Sequence, residues 1–438
     1  MAVIELRPPL SDLAGGTREH RVGGATVAEA LAELERAHPG LAGWMRDERG
    51  RVRRHVSVFV NGRQSGGEEA LAPEDRVAIV GSVSGGEPMP GLLVGTRKGL
   101  VLLPGDGGAL RRHFEGQEVS FAAADPRSGR VFAATVHGQY GPRLFWSDDP
   151  DAGWEQCNGP VFPEGESAAV ERVWIVREGA AEGELWAGVA PAALFRSGDG
   201  GRSWELVRGL WDHPRRAEWS PGAGGMCLHS ICPWPGDPAR LAVAVSAGGV
   251  WLTEDGGATW REGVDGIVAR YLPEEARAGS IQLCVHNMHR HPAQPSTMYL
   301  QFHGGVYRSD DAGESWSDIG AGLPSDFGFP MVLDPADPDR AFVIPLNGDF
   351  DRVTAGGRVR VFETRDRGSS WEERPDGFPA QGWLTILRQA FCAVPADPLA
   401  LAFGATSGEV FGSVDGGATW RSVARDLPPV LSVRPAPS

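Results

Sequence analysis

An eight-residue pattern, Ser/Thr-x-Asp-x-Gly-x-Ser/Thr-Trp, occurs five times between Ser197 and Trp420. It reads SGDGGRSW from Ser197, TEDGGATW from Thr253, SDDAGESW from Ser309, TRDRGSSW from Thr364 and SVDGGATW from Ser413. The aspartates Asp199, Asp255, Asp311, Asp366 and Asp415 are spaced by 56, 56, 55 and 49 residues. A nearly fixed period of that size means one supersecondary unit copied and stacked, and it restricts the fold before any local reading.

The stretch from Cys227 to Val264 illustrates the unit. An apolar run ends in a turn (LHSICPWPGDPAR). Then come a strand (LAVAVS), a glycine turn, a second strand (VWLT), the box and TWREGV. Four short strands with Gly/Pro/Asp punctuation read as an antiparallel meander. Such a sheet cannot bury both faces alone; arranged radially, copies pack face to face as a β-propeller. The box falls between strands three and four. There the Asp carboxylate and the Ser/Thr hydroxyl accept backbone N–H bonds that the turn leaves open. Trp204, Trp260, Trp316, Trp371 and Trp420 fold back between sheets, so the repeated residues are structural rather than catalytic.

A decayed box, SDDPDAGW from Ser147 to Trp154, adds a sixth unit, and LLVGTRKGLVLL from Leu92 opens a seventh that lacks an inner strand. The tail VLSVRP (Val430 to Pro435) is a spare inner strand, so the C-terminus is expected to complete the first blade and close the ring. Closure removes the exposed sheet edge that invites aggregation.

Residues 1–86 have another texture, with no repeats and one Trp. VIELR and REHRV read as a hairpin. A helix follows from Thr26, with Val27, Ala30, Leu31 and Leu34 on one face and a Thr26/Glu29 capping box. HVSVFVNGRQ is a strand running into an Asn-Gly turn, and LAPEDRVAIVGSVSGG is a last strand with a small-residue tail ending Gly85-Gly86. The expected architecture is mainly β. A small α+β ubiquitin-like β-grasp domain (1–86) and a linker (87–91) precede a seven-bladed propeller (92–438) closed by the C-terminal strand.

VFVNG (Val58 to Gly62), LAPEDRVAIV (Leu71 to Val80) and SGG (Ser84 to Gly86) resemble the sulfur-carrier branch of the ubiquitin-like proteins. That branch includes the molybdopterin-synthase small subunit (MoaD) and the thiamine sulfur carrier (ThiS). The resemblance implies that the terminal glycine carboxylate is adenylated by a ubiquitin-activating-type enzyme and converted to a thiocarboxylate. Two glycines form a side-chain-free tail suited to a narrow channel. Here Gly86 is followed by Glu87-Pro88-Met89-Pro90, and a peptide carbonyl is not a substrate for adenylation. Either a processing protease cuts after Gly86, in a Pro-rich stretch that reads as exposed linker, or the grasp fold serves only for docking.

Composition narrows the partners. The net charge is −15; residues 1–86 hold 11 basic and 12 acidic side chains, leaving 31 against 45, or −14, for the rest. That argues against a nonspecific nucleic-acid surface. No apolar stretch approaches a membrane span and no signal peptide is evident. Five cysteines without a C-x-x-C read as small buried hydrophobes in a reducing compartment, so a cytoplasmic setting is expected.

In a propeller, the loops entering inner strands and those joining strands two and three share one face. Aligning the repeats places Arg97, His137, Tyr140 and His303 on the latter loops, and Arg172, His229, His286 and Arg388 on the former. His137, His229, His286 and His303 could converge. Three readings stay open: an anion-binding mouth with guanidinium forks for a small acidic ligand or a protein partner, a metal site from histidines on different blades, and polar side chains lining a wet channel. No catalytic residue and no metal ligand set is assigned.

The boxes resemble those of sialidases and the wider BNR-repeat (Asp-box) propellers. The resemblance implies an arginine triad, a Tyr–Glu nucleophile pair and an Asp acid. The early Arg-Ile-Pro motif is replaced here by GTRKGL, and Tyr271, near Glu274 and Glu275, is a thin stand-in for the nucleophile. Boxes report scaffold rather than chemistry. A carrier domain fused to a binding propeller is therefore expected, with a sialidase-like glycoside hydrolase or a non-enzymatic interaction scaffold as the alternatives.

Overall fold

The structure, a computed structural model, describes all of the chain except residues 7–9, 43, 47–49, 53–55, 62, 66–68, 82–88, 106–107, 223–224, 349 and 438. It divides into two compact units, Met1–Pro88 and Met89–Ser438. No helix among the described residues is long and apolar enough to cross a membrane.

In the first unit, β1 (Ala2–Leu6), β2 (Glu19–Val22), β3 (Val56–Val60), β4 (Arg63–Ser65) and β5 (Arg76–Gly81) form one sheet ordered β2-β1-β5-β3-β4. The central pair, β1 and β5, is parallel. The helices are α1 (Leu10–Leu13) and α2 (Val27–Ala37). Val27, Ala30, Leu31 and Leu34 of α2 are fully buried in one core with Ile4, Leu6, Val58 and Val77. Burial of each large aliphatic side chain contributes about 1.5–3 kcal/mol. The expected capping box forms, with its return bond one residue early. Thr26 Oγ1 accepts from the Glu29 N–H at 3.3 Å, and the Glu29 carboxylate accepts from the Ala25 N–H at 2.8 Å.

The carrier motif also has a mechanical role. Asn61, in the left-handed region at φ +49, donates from Nδ2 to Asp75 at 2.9 Å and accepts the Arg76 N–H at 3.0 Å. Asp75 in turn accepts the Ala72 N–H at 2.7 Å. The Asn of VNG thus locks the turn that launches β5. Gly85 and Gly86 lie outside the described residues.

The second unit is a seven-bladed β-propeller of four-stranded antiparallel sheets. Inner strands are Val430–Pro435 (blade 1), Glu118–Ala124 (blade 2), Arg172–Glu178 (blade 3), Leu228–Trp234 (blade 4), Val285–Arg290 (blade 5), Gly328–Leu333 (blade 6) and Phe391–Val394 (blade 7). Each inner strand touches the next, and the seventh returns to the first. Val430–Pro435 pairs antiparallel with Leu92–Thr96, so the C-terminal strand closes the ring as the tail sequence predicts. Met89, expected in the linker, is buried with residues of blades 1 and 7.

The repeated box is a hydrogen-bonded turn. In blade 4, Thr253 Oγ1 accepts the Gly257 N–H at 3.0 Å, and Asp255 accepts the Thr259 N–H at 2.9 Å and its hydroxyl at 2.5 Å. Blades 3, 5, 6 and 7 repeat the pattern from Asp199, Asp311, Asp366 and Asp415. Where the box contains Gly-Gly, the indole N–H of Trp204, Trp260 and Trp420 donates within its own box, at 3.0, 3.0 and 3.1 Å. Where Ala312 or Arg367 replaces the first glycine, Trp316 and Trp371 instead donate to Gly263 and Ile319 of the preceding blade, at 3.0 and 2.7 Å.

These turns predict an acid response. Hydrogen bonds from Thr259 and Thr253 lower the Asp255 carboxyl to about 2. For Asp199, burial alone would raise the value, but bonds from Ser203, Ser197 and Arg202 outweigh it and also bring it to about 2. A carboxylate depressed in the folded state stabilises it fully above its ordinary value of 3.8 and loses that contribution as pH falls toward 2. The urea midpoint is expected to drop across that window. Asp199→Asn/Asp255→Asn is expected to flatten the drop, and an unchanged slope in the double variant would contradict the assignment.

Candidate functional site: the arginine-lined cavity of the propeller

A cavity of about 530 Å³ opens at the end of the propeller where the inner strands begin. Its wall is built from a repeated irregularity. Six inner strands each carry one extra residue against the neighbouring strand: Leu431, Ser120, Trp174, His229, His286, and the Phe329-Pro330 pair set opposite Ile344. Such β-bulges release a side chain from the pleat and re-aim it. All of these but His229 and Pro330 line the cavity. Blade 7 contributes Arg388 and Gln389, just ahead of its inner strand.

Of the residues expected at the mouth, Arg172, His286, His303 and Arg388 line this cavity. Arg97, His137, Tyr140 and His229 do not. His137 and Tyr140 lie at the connection between Val131–His137 and Gly141–Ser147 of blade 2, their rings tilted against each other with centres 4.7 Å apart. Arg97 is exposed beside the blade 1 turn. His229 is fully buried, and its Nε2 donates to the Val285 carbonyl at 2.9 Å. The expected convergence of four histidines therefore reduces to two, His286 and His303, with ring centres 5.4 Å apart. Repeat alignment identifies the right loops; it does not show how far each loop projects or which way a bulged residue turns.

The positive groups are organised around Trp174. Arg388 lies 5.0 Å and Arg172 5.5 Å from its ring centre. Arg172 pairs with Glu118 at 2.7 Å, and Arg388 donates to Cys227 Sγ at 3.2 Å. The Trp174 indole N–H is buried with no acceptor among the described residues. A buried donor without a partner is costly unless a bound group satisfies it. Arg352, Phe327 and Phe329 complete one wall. Among the described residues the lining holds no Asp or Glu.

The same lining carries Cys284, His286 and His303, whose ligand-type atoms are all within 4.8 Å of one another. Cys284 Sγ is 3.5 Å from His286 Nε2. His286 Nδ1 lies 2.7 Å from the Gly328 carbonyl. A carbonyl only accepts, so Nδ1 carries the proton and Nε2 presents its lone pair to the cavity. Burial, reinforced by Arg388, holds His286 well below the usual imidazole range, so it is neutral. Tyr271 closes this side. Its hydroxyl donates to the Gln282 carbonyl at 3.2 Å and accepts the Cys284 N–H at 3.0 Å, and burial pushes its pKa up to about 12. Sequence reasoning passed over Cys284, although Cys284-x-His286 is the spacing that puts two side chains on one strand face.

A family model described as the ThiS family matches residues 10–86. The chain is 40% identical over 81 residues to small archaeal modifier protein 1 of Haloferax volcanii, a match covering 17% of this chain and 93% of that protein. It is 38% identical over 68 residues to vacuolar protein sorting/targeting protein 10 of Verticillium alfalfae, covering 16% of this chain and only 4% of that protein's length. Among solved structures, a GH74 enzyme of Niastella koreensis superposes with a TM-score of 0.48 at 13% identity, covering 79% of this chain and 68% of that one.

Proposed function

Through its N-terminal unit the chain belongs to the ThiS family, and from that premise we propose that it is a sulfur carrier held as a precursor on a ligand-binding propeller. The observation that carries the reading is that the family match runs through residue 86, ending on Gly85-Gly86, while the chain continues past it. Cleavage of the Gly86–Glu87 peptide bond releases the carboxylate. An adenylating enzyme of the ubiquitin-activating type transfers AMP from ATP to that carboxylate, and pyrophosphate leaves. A sulfide-equivalent donor then displaces AMP to leave a thiocarboxylate on Gly86.

The propeller, an Asp-box ring of the BNR type in this reading, recognises a small acidic ligand or an acidic segment of a protein partner. Arg172, Arg388 and the unmet Trp174 N–H supply donors for a carboxylate. The chemistry of a glycoside hydrolase is less well served. That reaction needs a pair of carboxylates or a Tyr–carboxylate nucleophile. The described cavity wall has no acidic residue, Arg97 stands outside it, and the Tyr271 hydroxyl is bonded to backbone with a raised pKa.

Intact-mass spectrometry of the protein from its native host tests the reading. A fragment ending at Gly86, in part heavier by the difference between sulfur and oxygen, is the expected result. A population found only at full length, under conditions that demand sulfur transfer, would overturn it.

A further inference from the structure

We propose that Cys284, His286 and His303 form a binding site for a divalent transition metal of the zinc type, with its fourth position open to the cavity. Zinc sites with three protein ligands and one open position use this mixture of thiolate and imidazole. The spacing fits. Zn–S and Zn–N bonds of ordinary length at a tetrahedral angle place sulfur and nitrogen about 3.6 Å apart, and Cys284 Sγ lies 3.5 Å from His286 Nε2. His303 completes a triangle in which no two ligand atoms are more than 4.8 Å apart.

The supporting bonds fit as well. A metal-ligating histidine commonly donates its other ring N–H to a carbonyl, which fixes the ring and the tautomer; His286 does this to Gly328. The His303 backbone N–H donates to the Cys284 carbonyl at 3.1 Å, which ties two of the ligand-bearing segments together. The Cys284 N–H is held by the Tyr271 hydroxyl. His286 is the bulged residue of its strand, so it reaches the cavity without breaking the flanking ladder. All three ligands come from blade 5, not from histidines on several blades.

One thiolate and two neutral imidazoles leave a divalent ion with a net positive charge beside Arg388. An anionic oxygen or sulfur donor on the open position balances that charge, and the arginine side of the cavity steers such a donor toward it. The site does not depend on cleavage after Gly86, so an uncut chain and a metal-free chain are separate failures.

Chelator-stripped full-length protein titrated with Co²⁺ under reducing conditions provides the test. The expected result is one equivalent bound, intense tetrahedral visible bands and a thiolate-to-cobalt charge-transfer band, all erased by Zn²⁺. Cys284→Ser is expected to lose the charge-transfer band, His303→Gln to weaken binding at least about 100-fold, and Cys157→Ala to change neither. Zn²⁺ is also expected to protect Cys284 from iodoacetamide in the unmutated protein, a readout that does not depend on any variant folding. No Co²⁺ uptake, a charge-transfer band retained in Cys284→Ser, or fast alkylation of Cys284 unaffected by Zn²⁺ would each overturn the proposal. The last result would mark a thiol–imidazole pair that works without metal.

Discussion

A chain truncated after Pro429 is expected to lose cooperative folding of the propeller. The missing segment is the inner strand of blade 1, in which Val430 and Val433 are fully buried and Leu431 is nearly so. Its pairing with Leu92–Thr96 supplies the innermost hydrogen bonds of that sheet, and it touches the inner strands on both sides. Three aliphatic side chains at about 1.5–3 kcal/mol each approach the whole stability of an ordinary domain, about 5–15 kcal/mol. The uncovered strand would also offer an edge for aggregation. Thermal unfolding and limited proteolysis check this, with a synthetic peptide spanning residues 428–438 added in trans to restore protection. A truncated chain that melts with the full-length transition would show that the ring does not rely on this strand.

The second large effect is expected at Glu363. This buried carboxylate accepts from Arg340 at 2.6 Å and Arg374 at 2.7 Å, and forms an ion pair with Arg365 at 2.8 Å. Arg340 is itself buried; it also bonds to Asp334 at 2.8 Å and donates to the Gly416 carbonyl in the blade 7 box at 2.7 Å. The cluster therefore joins blade 6 to blade 7. Glu363→Ala removes one charge and leaves guanidinium groups without their main partner, an arrangement that costs about 3–5 kcal/mol. Urea unfolding should show a correspondingly lower midpoint. A Glu363→Ala midpoint within about 0.5 kcal/mol of the unmutated protein, the range of ordinary surface changes, would exclude the clamp.

The scaffold was readable because its signals are local and repeated. Asp199, Asp255, Asp311, Asp366 and Asp415 satisfy their own turns within four residues, so the box carries its structure with it. The tail strand was readable because one blade lacked a partner. In the N-terminal unit, Asn61 and Asp75 announced their turn by type and spacing. The cavity was legible only in part. Arg172, His286, His303 and Arg388 were found by their place in the repeat, whereas Arg97 and His137 occupy equivalent places but do not line the cavity. Trp174 was missed because a bulge shifts which residue faces inward, and no local pattern marks a bulge; Cys284 could have been found from its spacing to His286. Arg352 sits in the irregular segment between Ala341–Pro345 and Val361–Thr364 of blade 6.

The surplus residue in six inner strands has an evolutionary implication. A side chain that opposes no partner across the sheet can be exchanged without disturbing the pairs on either side of it. Leu431, Ser120, Trp174, His286 and Phe329 thus form a set of nearly independent positions, one per blade, facing a common interior. Ligand preference can drift by single substitutions at those positions while the surrounding ring keeps its architecture.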